Sequence, residues 1–270
     1  LDIAGIVGVR SRATACISAG SGAYMRLATR AWCVSSASAL YASRARPRLA
    51  TRTMATWVDA DEASTVQANV QAVRERVAKV SQSATLIAVS KLKPLSHVKA
   101  AFDAGQRDFG ENYVQELAEK AEAAKDVEGL RWHFIGSLQS NKVRQLCQVP
   151  QLACVHTVER AKIANSLDRV WGELGNAEPL ACFLQVNTSG EESKGGCAPD
   201  AAPELAKAIH AKPHLKLVGL MCIGKYSGAE GDASPDFNVL RACRDAAAAE
   251  LGVPVDSLAL SMGMSHDFEQ

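Results

Sequence analysis

The chain has 270 residues, 47% of them hydrophobic and 22% charged, with a formal net charge of +1. That length suits one large barrel or two small domains. A charge so close to zero gives no electrostatic pull toward nucleic acid or anionic lipid, and no stretch approaches the roughly 20 apolar residues of a membrane-spanning helix.

From Ile3 to Val58 there is no Asp or Glu, while Arg10, Arg12, Arg26, Arg30, Arg44, Arg46, Arg48 and Arg52 sit among Ala and Ser. This composition fits a mitochondrial or plastid transit peptide, or sequence ahead of a true start at Met54, which would leave the protein in the cytosol. Residues 1–58 are therefore expected to be a disordered leader, with the folded domain over 59–270. The eight cysteines, at 16, 33, 147, 154, 182, 197, 222 and 243, show no C-x-x-C pair and no zinc spacing, and are read as reduced small hydrophobes.

After the leader, Val66, Val70, Val73, Val77 and Val80 recur at four and three, which predicts a helix. The apolar run Thr85–Val89 predicts a buried strand. Pro94-Leu95-Ser96 then opens a helix that Gly105 closes. Further strands are expected at 107–109, 132–135, 153–156, 181–186, 215–223 and 257–260, with helical patterns between them. The clearest carries Ile163, Leu167, Val170 and Leu174 on one face, and another starts at Ser234-Pro235. Strict alternation with no G-x-G-x-x-G turn favours a TIM (β/α)8-type barrel over an open doubly wound sheet. Seven strands are found, so the barrel is expected to end before the eighth.

The active site of such a barrel lies at the C-terminal ends of its strands, with phosphate commonly held after strands seven and eight. Lys91 follows the first strand, where partial desolvation and the neighbouring Lys93 favour a neutral, nucleophilic amine; the plainer reading is a solvated loop lysine. Ser261, Gly263 and Ser265 form an S-x-G-x-S loop after the seventh strand. It suits a phosphate, although alone it also describes an ordinary turn. Asn112 and His133 project toward the same mouth, with a helix cap and a satisfied core histidine as their plainer readings. The segment Gly136–Lys142 lacks the second glycine of a nucleotide loop. The charged loop 187–196 suggests mobility and a lid, against a plainer reading of solvated charge. No hydrolase triad or carboxylate pair stands out.

Several motifs in order, Ala88-Val89-Ser90-Lys91-Leu92-Lys93-Pro94, Phe109-Gly110-Glu111-Asn112-Tyr113-Val114-Gln115-Glu116, Trp132-His133-Phe134-Ile135-Gly136-Ser137-Leu138-Gln139-Ser140-Asn141-Lys142, Gly219-Leu220-Met221 and Leu260-Ser261-Met262-Gly263-Met264-Ser265, give the chain a clear likeness. From about Thr65 to Gln270 it resembles the pyridoxal phosphate homeostasis (PLP-binding, proline synthase co-transcribed) family. The resemblance implies a barrel like the N-terminal domain of alanine racemase and pyridoxal 5′-phosphate (PLP) as a Schiff base on Lys91. It also implies phosphate at Ser261–Ser265, a pocket lined by Asn112, His133 and Met221, and no established turnover. The family continues through a Gly-Ser/Thr segment and an Arg-Ile-Gly strand that this sequence lacks, so weaker PLP binding is expected here. Expected partners are PLP and PLP-dependent apoenzymes, without nucleic acid or membrane, for a monomer or weak dimer. The alternatives are a fold-type III amino-acid racemase, for which no second domain is encoded, and a cofactor-free Schiff-base aldolase.

Overall fold

The computed structural model describes residues 9–10, 60–225, 234–265 and 267–269, with backbone alone at 9–10 and 234. Seven parallel strands form one sheet in chain order: β1 (Ala88–Val89), β2 (Asp108–Glu111), β3 (Arg131–Phe134), β4 (Leu152–Val158), β5 (Leu180–Gln185), β6 (Leu215–Met221) and β7 (Ala259–Ser261). Helices alternate with them: α1 (Ala60–Val80) precedes β1, and α2 (Leu95–Asp103), α3 (Val114–Ala123), α4 (Val143–Cys147), α5 (Ala161–Glu173), α6 (Ala202–His210) and α7 (Ser234–Leu251) each follow a strand. The alternation read from the sequence is thus present as a seven-stranded (β/α)-barrel.

Most strand positions are buried on both faces, as parallel strands covered by helices require. Trp132, Phe134, Phe109 and Leu184 on the sheet meet Leu117, Ile163, Leu167 and Ile209 on the helices, all fully buried in the main core. On α5, Ile163, Leu167 and Val170 form the expected stripe. On α1 the stripe holds for Val66, Val70 and Val77, while Val80 is 48% exposed at the helix end. Gly105 has φ 91, the left-handed conformation read for the end of α2.

The inner face carries a smaller cluster of Cys154, Phe183, Met221 and Ala259. The sheet curls far enough for β4 to reach β7 across the interior, since His156 Nδ1 lies 2.9 Å from Ser261 Oγ. β1 and β7 are the outer strands, and no ladder joins them among the described residues. Contacts from the end of the chain to α1 bridge this seam, with Arg76 paired to Glu269 at 2.8 Å and stacked over Phe268. Between α1 and β7 lies a cavity of about 610 Å³ lined by Val77, Ala84, Leu260, Met262 and Phe268 among others.

The first strand departs from expectation. The run Thr85–Val89 is split, with only Ala88–Val89 in the barrel, while Ala84–Thr85 pairs antiparallel with Val9–Arg10. The rest of the leader reading, with Cys16 and Cys33, lies outside the described residues. Six other cysteines are free, five of them buried, and burial pushes the Cys147, Cys182 and Cys222 thiols up to about 12. No described helix is long and apolar enough to cross a membrane.

Candidate functional site

Lys91 sits in the turn just beyond β1. Ser90 N–H extends the ladder to Gly110 O, and Lys93 N–H closes the turn on Ser90 O at 3.0 Å. Leu92 takes φ 59, a conformation that costs a non-glycine residue roughly 1–3 kcal/mol and persists only where the surroundings impose it. Here the surroundings are polar and specific. Leu92 N–H donates to Glu116 Oε1 at 2.6 Å, and Lys120 Nζ donates to Glu116 Oε1, Glu111 Oε1 and Ser90 O at 2.7, 2.7 and 2.6 Å. Ser90 Oγ donates to the same Glu111 oxygen. The turn is therefore held from its outer side by β2 and α3.

Burial pushes the Glu111 carboxyl up, and the Lys120 and Ser90 hydrogen bonds only partly offset this; its Oε2 has no partner among the described residues. Strand alternation puts Lys91 on the opposite side from Ser90. That is the interior side, where Ile87, Val89 and Ile135 surround Gly110. Lys91 is partly buried, and its amine has no hydrogen bond or ion pair among the described residues.

The other predicted site residues fall into two levels. At the strand ends, Asn112 follows β2 and its buried Oδ1 is unpartnered among the described residues. A Cβ on Gly136 would lie 1.8 Å from Asn112 O, so only glycine lets the two loops meet. Met221 ends β6 in register with Ser261, which ends β7. Gly263 takes φ 94 in the loop that follows, and Ser265 is exposed. The Met264 N–H is already taken by the Asp267 carboxylate, so the loop can offer a ligand Gly263 N–H and the serine groups instead.

His133 lies deeper and is buried. Its Nε2 is 2.9 Å from Asp108 Oδ1, and its Nδ1 is 2.9 Å from His156 Nε2. Strand alternation turns both imidazoles inward: His133 lies between Trp132 and Phe134 of the helix-facing core, and His156 lies two residues beyond Cys154 of the inner cluster. His156 stacks on Phe183 at 4.5 Å. Burial, then the neighbouring His133, hold His156 well below the usual histidine range. Burial alone would raise Asp108, but hydrogen bonds from His133 and Arg131 prevail and bring its carboxyl to about 2. His133, Cys154 and His156 have metal-ligand atoms within 4.8 Å of one another. However, burial pushes the Cys154 thiol far up, and all four ring nitrogens are used in hydrogen bonds.

The sequence reading missed Lys120, Glu116, Asp108, Arg131 and His156. Glu116 and Lys120 stand four apart on one helix, a spacing that flags a pair. His156 sits inside a largely apolar strand, and Asp108 starts a fully buried one, each a signal of a partnered interior group. The loop 187–196 is tied down: Asn187 Nδ2 donates to Glu191 O and Lys194 O, and Lys194 Nζ donates to Gly224 O at 2.6 Å.

An unpartnered amine at a strand end, an unpartnered buried amide oxygen and a positive-φ glycine between two serines suit an aldehyde that carries a phosphate. The comparisons with known proteins agree. Residues 62–270 match the family model of the alanine racemase N-terminal domain. The pyridoxal phosphate homeostasis protein of Caenorhabditis elegans is 44% identical over 208 residues, covering 74% of this chain and 85% of that protein. The human protein of the same name is 44% identical over 189 residues, covering 68% and 69%. Among solved structures, PipY of Synechococcus elongatus with PLP bound is 33% identical, with a TM-score of 0.61 and coverage of 75% of this chain and 91% of that one. The chain belongs to the pyridoxal phosphate homeostasis protein family, built on the alanine racemase N-terminal domain.

Proposed function

We propose that this protein holds PLP as a Schiff base on Lys91, formed from the lysine amine and the cofactor aldehyde with loss of water, and serves intracellular PLP homeostasis as a carrier without turnover. The observation that carries the reading is the turn Ser90–Lys93. It is anchored from its outer side at Ser90 and Leu92, while the amine of Lys91 is left without a partner among the described residues. Such a lysine is pre-positioned to attack a carbonyl.

Ser261, Gly263 and Ser265 would hold the phosphate, and Asn112, His133 and Met221 would line the pocket, His133 from below through His156. The PLP-bound PipY structure supports the cofactor, and the names of the relatives support homeostasis over catalysis. Bound PLP supplies a reactive aldehyde, and the imine masks it until an apoenzyme accepts it. A fold-type III racemase would need a second acid/base group opposite Lys91. The test is to mix the PLP-loaded chain with a PLP-dependent apoenzyme and, separately, with L-alanine. The proposal expects the apoenzyme to gain activity and the alanine to keep its configuration. Racemisation at an enzymatic rate would replace the carrier with the racemase.

A further inference from the structure

The polar groups inside the barrel form an unbroken line from one end to the other. At the N-terminal end of the strands, Arg131 Nε and Nη2 donate to Asp108 Oδ1 and Oδ2 at 2.7 and 2.6 Å. From Asp108 the line passes through His133 and His156 to Ser261 Oγ, each step at 2.9 Å. Its lower end opens on a cavity of about 530 Å³ lined by Asp108 and Arg131, and its upper end is the first serine of the S-x-G-x-S loop.

The donors can be counted. Asp108 is a carboxylate and only accepts, so His133 Nε2 carries a hydrogen. With both rings neutral, His133 Nδ1 accepts from His156 Nε2–H, and His156 Nδ1 accepts from the Ser261 hydroxyl. The serine hydrogen then points down the line, and only its oxygen lone pairs face the loop. With one proton more, His133 donates from both nitrogens, His156 carries its hydrogen on Nδ1 and donates to Ser261 Oγ, and the serine hydrogen is free to point upward. The charge belongs on His133, which touches Asp108, and not on His156, which is enclosed by Cys154, Phe183 and His133. Asp108 and Arg131 are the charged groups bonded into the line at its lower end, where Arg74, Glu75 and Arg107 also line the cavity, and the Cys154 thiol beside the rings stays neutral.

We propose that Asp108, His133 and His156 are positioning residues that set the donor state of Ser261, so that a phosphate dianion at the Ser261–Ser265 loop binds with uptake of one proton. The proton enters from solvent at the mouth. Ser261 gives its hydrogen to His156 Nδ1 and takes the incoming one, and His156 passes its Nε2 hydrogen to His133 Nδ1. One proton is gained, no heavy-atom bond changes, and Ser261 now donates toward the dianion.

The inference rests on the phosphate reading above. It is tested by isothermal titration of the full chain with pyridoxine 5′-phosphate, which has no aldehyde, in buffers of different ionisation enthalpy. A window of about pH 7 to 8 keeps the phosphate, whose second pKa is about 6, dianionic. Ionisation of the ligand ring is common to all variants and cancels in the difference. Wild type is expected to take up about one more proton than Ser261→Ala and His156→Gln, and its affinity to fall more steeply with pH than theirs, by up to about tenfold per unit. Equal uptake in all three chains overturns the relay. If PLP still labels Lys91 after borohydride reduction in those chains, the cofactor reading survives that failure; if neither ligand binds wild type, both fall.

Discussion

On the outer side of β2, Glu111 meets Lys120, Glu116 and Ser90; on its inner side, Asp108 meets Arg131 and His133. Both networks are built from buried carboxylates, yet their chemistry differs. The outer one is closed on itself. Lys120 spends its three donors on Ser90 O, Glu111 and Glu116, so the cluster can only hold a shape, and the shape it holds is the turn that carries Lys91. The inner one is open at both ends and contains two imidazoles in series, so it can change its hydrogen positions without moving heavy atoms. Similar residues on opposite faces of one strand thus act as a fixture on one side and a switchable line on the other.

Breaking the fixture should cost most. Lys120→Met leaves Glu111 buried without its cation, and a loss of about 3–5 kcal/mol is expected in chemical denaturation. Burial already raises the Glu111 carboxyl, and without Lys120 it should rise further, so protonation relieves the defect. The deficit of Lys120→Met should therefore be smaller at acidic than at neutral pH. A deficit that does not change with pH would mean that Lys120 acts by packing alone.

The inner line should be softer. In Asp108→Asn an amide oxygen still accepts from His133, and Arg131 is half exposed to water, so a loss of about 1–3 kcal/mol is expected. The same variant isolates a pH window. The folded carboxyl lies at about 2 against an ordinary aspartate value of 3.8, so its contribution is fully present above about pH 4 and is lost as pH falls toward 2. It amounts to something on the order of 2 kcal/mol, and Asp108→Asn should lack that part of the acid unfolding curve. The smallest effect belongs to Leu92. The residue is 77% exposed and its φ is positive, so Leu92→Gly removes strain with little loss of buried surface and should stabilise the fold by about 1 kcal/mol. A clear loss of stability there would mean that the turn is not strained.

How far the sequence foretells these networks follows from what each depends on. Strand positions were legible because apolar runs between turn residues report burial directly. β4 runs on through Thr157 and Val158, past the predicted end at His156, because Thr157 is satisfied by Gly136 O and polarity there does not end the ladder. The position of Lys91 was legible from its place at a strand end. The outer clamp was half legible, in the four-residue spacing of Glu116 and Lys120, but its grip on Ser90 and Leu92 depends on how α3 packs over β1. The inner line was only partly legible: a histidine within the apolar strand β4 signals a partnered interior group, but its reach to Ser261 on β7 depends on how far the sheet curls.

The most direct test of the account is borohydride reduction of the PLP-treated protein followed by peptide mapping, with Lys91→Ala beside wild type. The account predicts pyridoxyllysine at Lys91 in wild type, with an absorbance band that the variant lacks. A label on another lysine, or an equal band in Lys91→Ala, would contradict it.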